Sequence, residues 1–387
     1  MRHGDATTPL RTAIVGLALL LIIATGCSPA AQQKVLELSW SRIALPAGVA
    51  ASSLAVAPDG LLVGGRASDG GDHPAFFVVD ASGAVRSVPL HPNSPYAKVA
   101  DLVSIAAHDE QVVALGVAHG GAHANFRWTV WAGSTKGLDD HPQTFETFGG
   151  QSAGGLLDIV FTSQGSAIAG TWAAREGGLD AAVWLPRGQR WIRQNSAGTA
   201  LANTPQLQVA PRAASGAGSA MIISGSVITF QDGLQQRAAV WISPSLRESW
   251  QLLQLPEAGT RGEALSTGCQ QQCWVSGYAD GVVALWSITS TDKSAEATRD
   301  SSLPRIEHVA EDAGPVTVTW ADRPGLLVSH LSSSQLLLSD SQGWRTYSGP
   351  AGPVIDATIV GDRLYAITRN ADAVELWTAD LAAIRSR

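Results

Sequence analysis

Short apolar stretches of about five residues, separated by turn-forming residues, recur along the chain from Leu36 onward. Residues 36–40 alternate apolar and polar side chains (Leu-Glu-Leu-Ser-Trp), as a half-buried strand does. Farther on, residues 53–57 and 61–65 flank the turn Pro58-Asp59-Gly60. Residues 76–79 and 85–88 follow after further turn residues. This pattern predicts β-strands grouped in units of four.

The same unit recurs, and its third strand usually carries a tryptophan. The clearest copies are the Ala-Ala-Val-Trp sequences that end at Trp184 and Trp241. Aligning the third strands places the following residues at one position: Val79, Trp131, Trp184, Trp241, Trp286, Leu338 and Trp377. A spacing of roughly 40 to 50 residues with four strands per period is typical of propeller blades. The sequence therefore predicts an all-β, seven-bladed β-propeller of four-stranded antiparallel blades.

The two ends of the chain support this blade count. The seventh unit has only three strands, because only residues 381–387 follow it. An orphan strand at residues 36–43 precedes the first unit and can supply the missing fourth strand. Such closure removes the exposed edges that an open ring would leave, which favours seven blades over six or eight. No period contains a helical pattern of useful length, which excludes a helical solenoid.

The N-terminal residues resemble an export signal. Residues 12–26 are all apolar or small, a run shorter than the roughly 20 residues of a membrane span. The sequence Ala24-Thr25-Gly26-Cys27 resembles a bacterial lipobox, with alanine where leucine is usual. The resemblance implies a signal peptide (residues 1–26), a lipidated tether (27–35) and a propeller (36–387). Two acyl chains on Cys27 would hold the protein on the outer face of the cell membrane. An uncleaved anchor or an ordinary signal cut nearby are the alternatives.

Two further cysteines, Cys269 and Cys273, are separated by three glutamines. Outside the cytoplasm such a pair is typical of a disulfide, and a hairpin loop would bring the Cα atoms within reach. Zinc is the rival ligand, but zinc requires four nitrogen or sulfur ligands and the nearest histidine is His308. We therefore predict a disulfide and no metal.

The tryptophan-bearing strand and its hairpin resemble the Asp-box (BNR) repeats of sialidase-like propellers. That repeat has Ser, Asp, Gly and Thr at alternate places before a Trp. Here the corresponding residues are Ser243, Ser245, Arg247, Ser249 and Trp250, so the Asp and the Gly are lost. In the intact repeat the Trp packs beneath the hairpin, which implies that these tryptophans belong to the core.

The sialidase resemblance also implies an arginine triad, a tyrosine nucleophile with a glutamate partner, and an aspartic acid in the central mouth. The Arg-Ile-Pro signature of that family is missing, since Pro304-Arg305-Ile306 has another order. The chain contains four tyrosines, and none can be assigned a role from sequence. We therefore predict no catalytic residue and no cofactor, with a sialidase-like, glycan-processing glycoside hydrolase as the alternative function.

Charge and loop composition point to binding. The net charge of −7 and the pI of about 5.7 exclude the cationic footprint of a nucleic-acid-binding protein. Loops between second and third strands share one rim, and their polar residues are candidate binding residues: His73, His119, His123, Glu176, Asp232, Asp280 and Asp372. They would suit a metal, a cationic partner or plain solvation. Variable loops on a rigid frame are typical of recognition, so we expect an anchored binding or scaffold lipoprotein with an envelope protein or a glycan as partner.

Overall fold

The repeated strands form seven sheets, one for each unit found in the sequence. The computed structural model describes residues 34–120, 126–231, 233–246, 249–290, 294–307, 313–371 and 373–385. The predicted signal peptide and Cys27 lie outside the described residues. Each sheet contains an antiparallel four-stranded meander, and the chain passes from one sheet to the next. This confirms the predicted seven-bladed β-propeller.

The strands of each blade follow in chain order. Blades one and two contain Val49–Ala57, Gly60–Ala67, His73–Val79 and Val85–Ser87, then Asp101–His108, Gln111–His119, Phe126–Ser134 and Gly137–Asp140. Blades three and four contain Ala153–Thr162, Gly165–Ala173, Leu179–Arg187 and Arg190–Arg193, then Leu207–Ala217, Ala220–Thr229, Gln235–Ser243 and Gln251–Gln254. Blades five and six contain Gly262–Cys269, Cys273–Ala279, Val282–Ser290 and Ala295–Arg299, then Val316–Trp320, Arg323–Ser329, Ser333–Asp340 and Gly343–Ala351. Blade seven contains Val354–Val360, Arg363–Arg369, Val374–Asp380 and Trp40–Ile43, and the short helices are Ala97–Val99, Phe145–Phe148 and Ala382–Arg385.

The N-terminal strand closes the ring. Trp40–Ile43 pairs antiparallel with Val374–Asp380 and becomes the fourth strand of blade seven, as predicted. The predicted strand at 36–43 is not continuous, however, because Val35–Leu36 pairs in parallel with Gly343–Ala351 of blade six. A second parallel addition, Leu90–His91, joins the outer strand of blade two.

The strand pairing of the N-terminal segment is interrupted between residues 36 and 40, where the segment passes from blade six to blade seven. Leu38 is buried at this step, in the apolar cluster between the two blades. The backbone N–H of Leu38 donates to Ser348 Oγ at 3.0 Å, and Trp40 Nε1 donates to the carbonyl oxygen of Ser348 at 2.9 Å. One N-terminal segment therefore holds together two neighbouring blades.

The core consists of apolar clusters between adjacent blades, and the repeated tryptophans lie in them. Trp131, Trp184, Trp241 and Trp286 are fully buried, which confirms that they are core residues. The indole N–H groups of Trp184, Trp241 and Trp286 donate to carbonyl oxygens of Thr147, Ala200 and Pro256, at 2.9, 2.9 and 2.8 Å. Each acceptor lies in the connection that leads into the blade of that tryptophan, so the buried indole satisfies its hydrogen bond there.

The strand registers correct the sequence alignment at two blades. In blades two and three a glycine of the second strand, Gly116 or Gly170, pairs with a residue of the third strand. The buried tryptophan follows that third-strand residue by two positions. In blade one that position is Phe77, because Ala75 pairs with Gly65, so the predicted Val79 is two residues too late. In blade six Leu337, and not Leu338, packs in the cluster facing the preceding blade. Where a strand contains several apolar residues in a row, the hydrophobic pattern alone does not determine its pairing register.

A β-bulge interrupts the first strand in six of the seven blades. In blades four and five the residue facing the bulge is Gly225 or Gly277. A Cβ atom on Gly225 would lie 2.2 Å from the carbonyl oxygen of Ala210, and one on Gly277 would lie 1.9 Å from that of Glu263. Only glycine permits this close approach.

The connections between strands form two rims, one at each end of the ring. The upper rim consists of the connections between second and third strands, together with those that lead from one blade to the next. The lower rim consists of the turns between first and second strands and between third and fourth strands. None of the described helices is long and apolar enough to cross a membrane.

Candidate functional site

The first strands of the blades surround a central cavity of about 870 Å³. Its wall contains small and polar side chains, including Ser52, Ser53 and Ser104. Asp158 of blade three and Asp356 of blade seven also line it. The polar residues follow the bulges directly, so the register of the bulge is what turns them toward the axis.

These polar side chains form hydrogen bonds between neighbouring blades. The carboxylate of Asp158 accepts the backbone N–H of Ala214 in the next blade at 2.7 Å. Asp356 accepts the backbone N–H of Leu54 at 2.6 Å, which joins the last blade to the first. Two serines make the same contact from equivalent positions: Ser104 Oγ accepts from Ile159 N at 3.1 Å and Ser266 Oγ from Thr317 N at 3.0 Å. We call this set of bonds the inner latch.

Burial changes the acidity of both aspartates. Asp158 and Asp356 are half-buried, and both line the cavity. Burial, together with the nearby charge of Asp158, raises the pKa of Asp356 to about 7, although the N–H groups of Leu54 and Ala357 act to lower it. Burial also raises the pKa of Asp158, against the bonds from Ala214 and Ser104. The carboxyl group of Asp356 therefore carries less negative charge near neutral pH than that of an exposed aspartate.

At the upper mouth of the cavity, Arg212 Nε and Glu263 Oε1 form an ion pair at 2.5 Å. Glu263 lies opposite Tyr278 in the strand pairing, so tyrosine, glutamate and arginine come together here, as a sialidase site requires. The hydroxyl of Tyr278, however, donates to the carbonyl oxygen of Ala313 at 3.3 Å. Burial and the neighbouring Glu263 raise the pKa of Tyr278, which opposes formation of the phenolate that a nucleophile needs.

The structure places the described candidate binding residues on the upper rim, each in a different blade. His73 begins the third strand of blade one, His119 ends the second strand of blade two, and Glu176 and Asp280 lie in the corresponding turns of blades three and five. The ring of His73 interacts with its own loop, at 2.9 Å from Gly71 O and 3.3 Å from Asp69 Oδ1. Their placement on one rim agrees with the prediction, and their role in binding stays a prediction.

Asp280 is exposed, and its carboxylate also supports the backbone of the rim. Its carboxylate accepts the backbone N–H groups of Thr260 and Arg261, both at 2.9 Å, and these bonds lower its pKa. Within the described part of the chain, no three His, Cys, Asp or Glu side chains are close enough to hold a metal ion. The remaining candidates, His123, Asp232 and Asp372, lie outside the described residues.

Exposed apolar side chains reveal a feature of the upper rim that the sequence analysis missed. Of the eleven large hydrophobic residues that are exposed in the described chain, eight lie on this rim. They are Tyr96, Val99, Phe126, Phe145, Leu179, Phe230, Leu234 and Leu331. Leu234 and Leu331 are 76% and 80% exposed. Eight of the eleven thus lie on one rim, a preference that randomly scattered single residues would not show.

The lower rim contains the disulfide. Cys269 and Cys273 end one strand and begin the next in blade five, and they are bonded, with Cα atoms 4.1 Å apart. This agrees with the predicted disulfide and with its place on the rim of short hairpins. The bond closes a tight turn far from the exposed apolar residues of the other rim.

Structural comparison finds this fold in proteins of very different sequence. The propeller domain of the Trilobed protease from Pyrococcus furiosus is similar with a TM-score of 0.50 at 7% identity, over 87% of this chain and 95% of that domain. That propeller is described as having an open velcro topology, whereas here Trp40–Ile43 completes the last blade. A puromycin-hydrolyzing peptidase of Mycobacterium tuberculosis is similar with a TM-score of 0.52 at 12% identity, over 90% of this chain and 55% of the peptidase.

A sialidase of Trypanosoma rangeli is also similar, with a TM-score of 0.45 at 10% identity, over 90% of this chain and 59% of the sialidase. The chain thus spans little more than half the length of the peptidase and of the sialidase. No protein-family model and no curated protein sequence matches the chain. At these identities the likeness shows the β-propeller fold alone.

Proposed function

We propose that this protein is a lipid-anchored binding module on the outer face of the cell membrane, and that its upper rim binds an envelope protein or a glycan. The observation that carries the proposal is the one-sided distribution of exposed apolar residues on that rim. The inner latch supports it, since the carboxylates that face the cavity already bind backbone N–H groups of the next blade. The lipid anchor rests on the lipobox-like sequence that ends at Cys27.

The binding face is tested by surface cross-linking in the native envelope. A triple variant, Phe230→Ser, Leu234→Ser and Leu331→Ser, removes apolar area that is already in contact with water, so the melting temperature should hold. Cross-linked partners should decrease several-fold in the triple variant. Ile192→Ser is the matched control, because Ile192 is 46% exposed on an outer strand away from the rim. Equal recovery of partners with the wild type and the triple variant would refute the proposed face.

The anchor is tested separately. Metabolic labelling with palmitate should mark the wild type and leave Cys27→Ala unlabelled. Retention of the label in that variant would remove the membrane attachment from the proposal while leaving the binding face untouched.

A glycan-processing enzyme is the second candidate. The observation in its favour is that Asp158, Asp356 and Arg212 line one cavity and that burial raises the pKa of both carboxyl groups. A glycosidase requires two carboxyl groups of different acidity on either side of the bond that is cleaved. If purified protein hydrolyses fluorogenic glycosides, and if Asp158→Asn and Asp356→Asn each lower the rate by about 100-fold or more, this candidate replaces the binding module.

A further inference from the structure

The third strand of blade two has an edge that is not paired by any described part of the chain at its upper end. Its fourth strand, Gly137–Asp140, pairs only with residues 131–134, at the lower end of Phe126–Ser134. The N–H of His141 extends the pairing by one bond, to the carbonyl oxygen of Val130 at 2.8 Å. Because backbone groups of alternate residues point the same way, the N–H and C=O groups of Trp128 also face outward. Neither group has a hydrogen-bond partner among the described residues.

The next three blades cover the same position with their own chain. In blade three, Ala181 N donates to Leu201 O at 3.0 Å, and in blade five Val283 N donates to Ile306 O at 2.9 Å. Both donors lie three residues before the buried tryptophan of their blade, as Trp128 does. The corresponding group of blade four is the carbonyl oxygen of Ala238, which accepts from Leu255 N at 2.9 Å. The fold therefore shows that a polypeptide backbone fits this position.

Blade two differs because its outgoing connection is held by blade three. In this connection Gln143 bonds to the backbone of Gln189 and of Trp191, at 2.8 and 3.0 Å. The ring of Phe148 lies 5.8 Å from that of Trp184 in an edge-to-face arrangement. The connection thus leaves blade two after His141, and none of its described backbone groups bonds to Trp128, although the side chain of Phe145 reaches Arg127.

Aromatic side chains and one cation flank the open edge. Phe126 and Phe145 are each 52% exposed, and Tyr96 is 36% exposed. The guanidinium of Arg127 lies 5.6 Å from the ring centre of Tyr96 and 5.0 Å from that of Phe145. Arg127 also donates to the carbonyl oxygen of Phe126 at 3.2 Å, and the described residues offer it no carboxylate partner. Apolar surface and an unpaired cation therefore border the unpaired backbone.

We infer that the open edge of blade two binds an extended segment of a partner polypeptide by β-strand addition. The segment is apolar at the alternate positions that contact Phe126, and its other face carries a carboxylate that pairs with Arg127 beside Phe145. Backbone hydrogen bonds to Trp128 provide the affinity, and the alternate side chains provide the specificity. This inference rests on the proposed binding function of the upper rim and chooses a protein over a glycan as the partner.

The test uses the purified mature protein and a synthetic peptide amide, Glu-Val-Thr-Val-Thr-Val-Glu. We expect a Kd of roughly 100 µM by fluorescence anisotropy. Hydrogen exchange at residues 126–129 should slow when the peptide is added. The amides of Ala181 and Val283 are internal controls, because they already have backbone partners and should not change. The fully N-methylated peptide keeps the side chains, cannot donate backbone hydrogen bonds and should not protect the edge.

Two variants complete the test. The double variant Phe126→Ser and Phe145→Ser should raise the Kd of the peptide about 10-fold, whereas Ile192→Ser should leave the Kd unchanged. Equal binding of the N-methylated peptide, or no protection of residues 126–129 at saturating peptide, would overturn strand addition. If envelope partners are lost in the triple variant of Phe230, Leu234 and Leu331 but persist in the blade-two variant, the binding module stands and this inference falls.

Discussion

The inner latch should make the stability of the ring depend on pH through Asp356. Its pKa rises from the usual 3.8 to about 7 in the folded ring, chiefly because of burial. The folded protein therefore binds this proton more tightly than the unfolded chain does. The stabilising contribution is complete below the unfolded pKa and is lost as the pH rises through the folded pKa, that is, between about pH 4 and pH 7.

The size of the effect follows from the two pKa values. The folded and unfolded pKa values differ by about three, and each pKa step corresponds to about 1.36 kcal/mol. The loss of unfolding free energy is therefore at most roughly 4 kcal/mol. Water in the cavity screens the carboxylate, so we expect roughly half of this loss between pH 5 and pH 8. Asp356→Asn removes the titration and keeps an oxygen that accepts the N–H of Leu54. The free energy of unfolding of this variant should fall less steeply with pH.

Urea unfolding followed by tryptophan fluorescence at several pH values measures this slope. Asp280→Asn is the control, since backbone hydrogen bonds lower the pKa of Asp280 and it does not titrate in this window. A constant offset between wild type and Asp356→Asn at every pH would report only the altered hydrogen bond. Parallel curves between pH 5 and pH 8 would refute the assignment of the proton to Asp356.

Three further predictions concern the frame of the ring. Deleting residues 36–43 should lower the melting temperature of the whole ring, because blades six and seven lose a shared segment, whereas deleting 28–33 should not; equal melting temperatures would contradict closure by this strand. Gly225→Ala should destabilise the fold by about 2 kcal/mol or more in urea unfolding, since its Cβ would meet a carbonyl oxygen, whereas Gly155→Ala, with no atom within 4 Å of its Cβ, should be tolerated. Intact-mass measurement should show two alkylatable thiols only after reduction of the Cys269–Cys273 pair, and the double serine variant should lose about 2 kcal/mol of stability.

The blade count and the closure were predictable because they depend on patterns that every unit repeats. Strand alternation, turn residues and the third-strand tryptophan recur, and any one of them can fail in a blade without hiding the period. The register was less accessible, as Val79 and Phe77 show: both face the same inter-blade cluster, so burial alone does not choose between them. A glycine faces the bulge in five of the six blades that have one, and it was a usable signal, since Gly65, Gly225 and Gly277 all precede the loop to the third strand.

The inner latch was not predictable from residue type. The latch position is Asp158 in blade three and Asp356 in blade seven, but it is Ser104 or Ser266 in blades two and five. Carboxylate and hydroxyl oxygens accept the same backbone N–H, so the structural constraint is an acceptor and not a charge. Residue type alone therefore does not distinguish this buried pair from the acidic residues of the surface loops.

Departures from the repeat are the places where this frame permits function. Contacts that recur between blades, such as the inner latch and the indole bonds of Trp184 and Trp241, are explained by the need to hold the ring together. Blade two departs from this pattern twice. The indole of Trp131 bonds to Thr129 Oγ1 of its own strand at 3.1 Å instead of to the preceding connection. The outward groups of Trp128 lack, among the described residues, the backbone partner that blades three, four and five supply. The three following blades cover this edge, whereas the described chain leaves it unpaired in blade two, and unpaired strand edges favour unwanted association. The open edge is therefore better explained by a partner strand than by the requirements of folding.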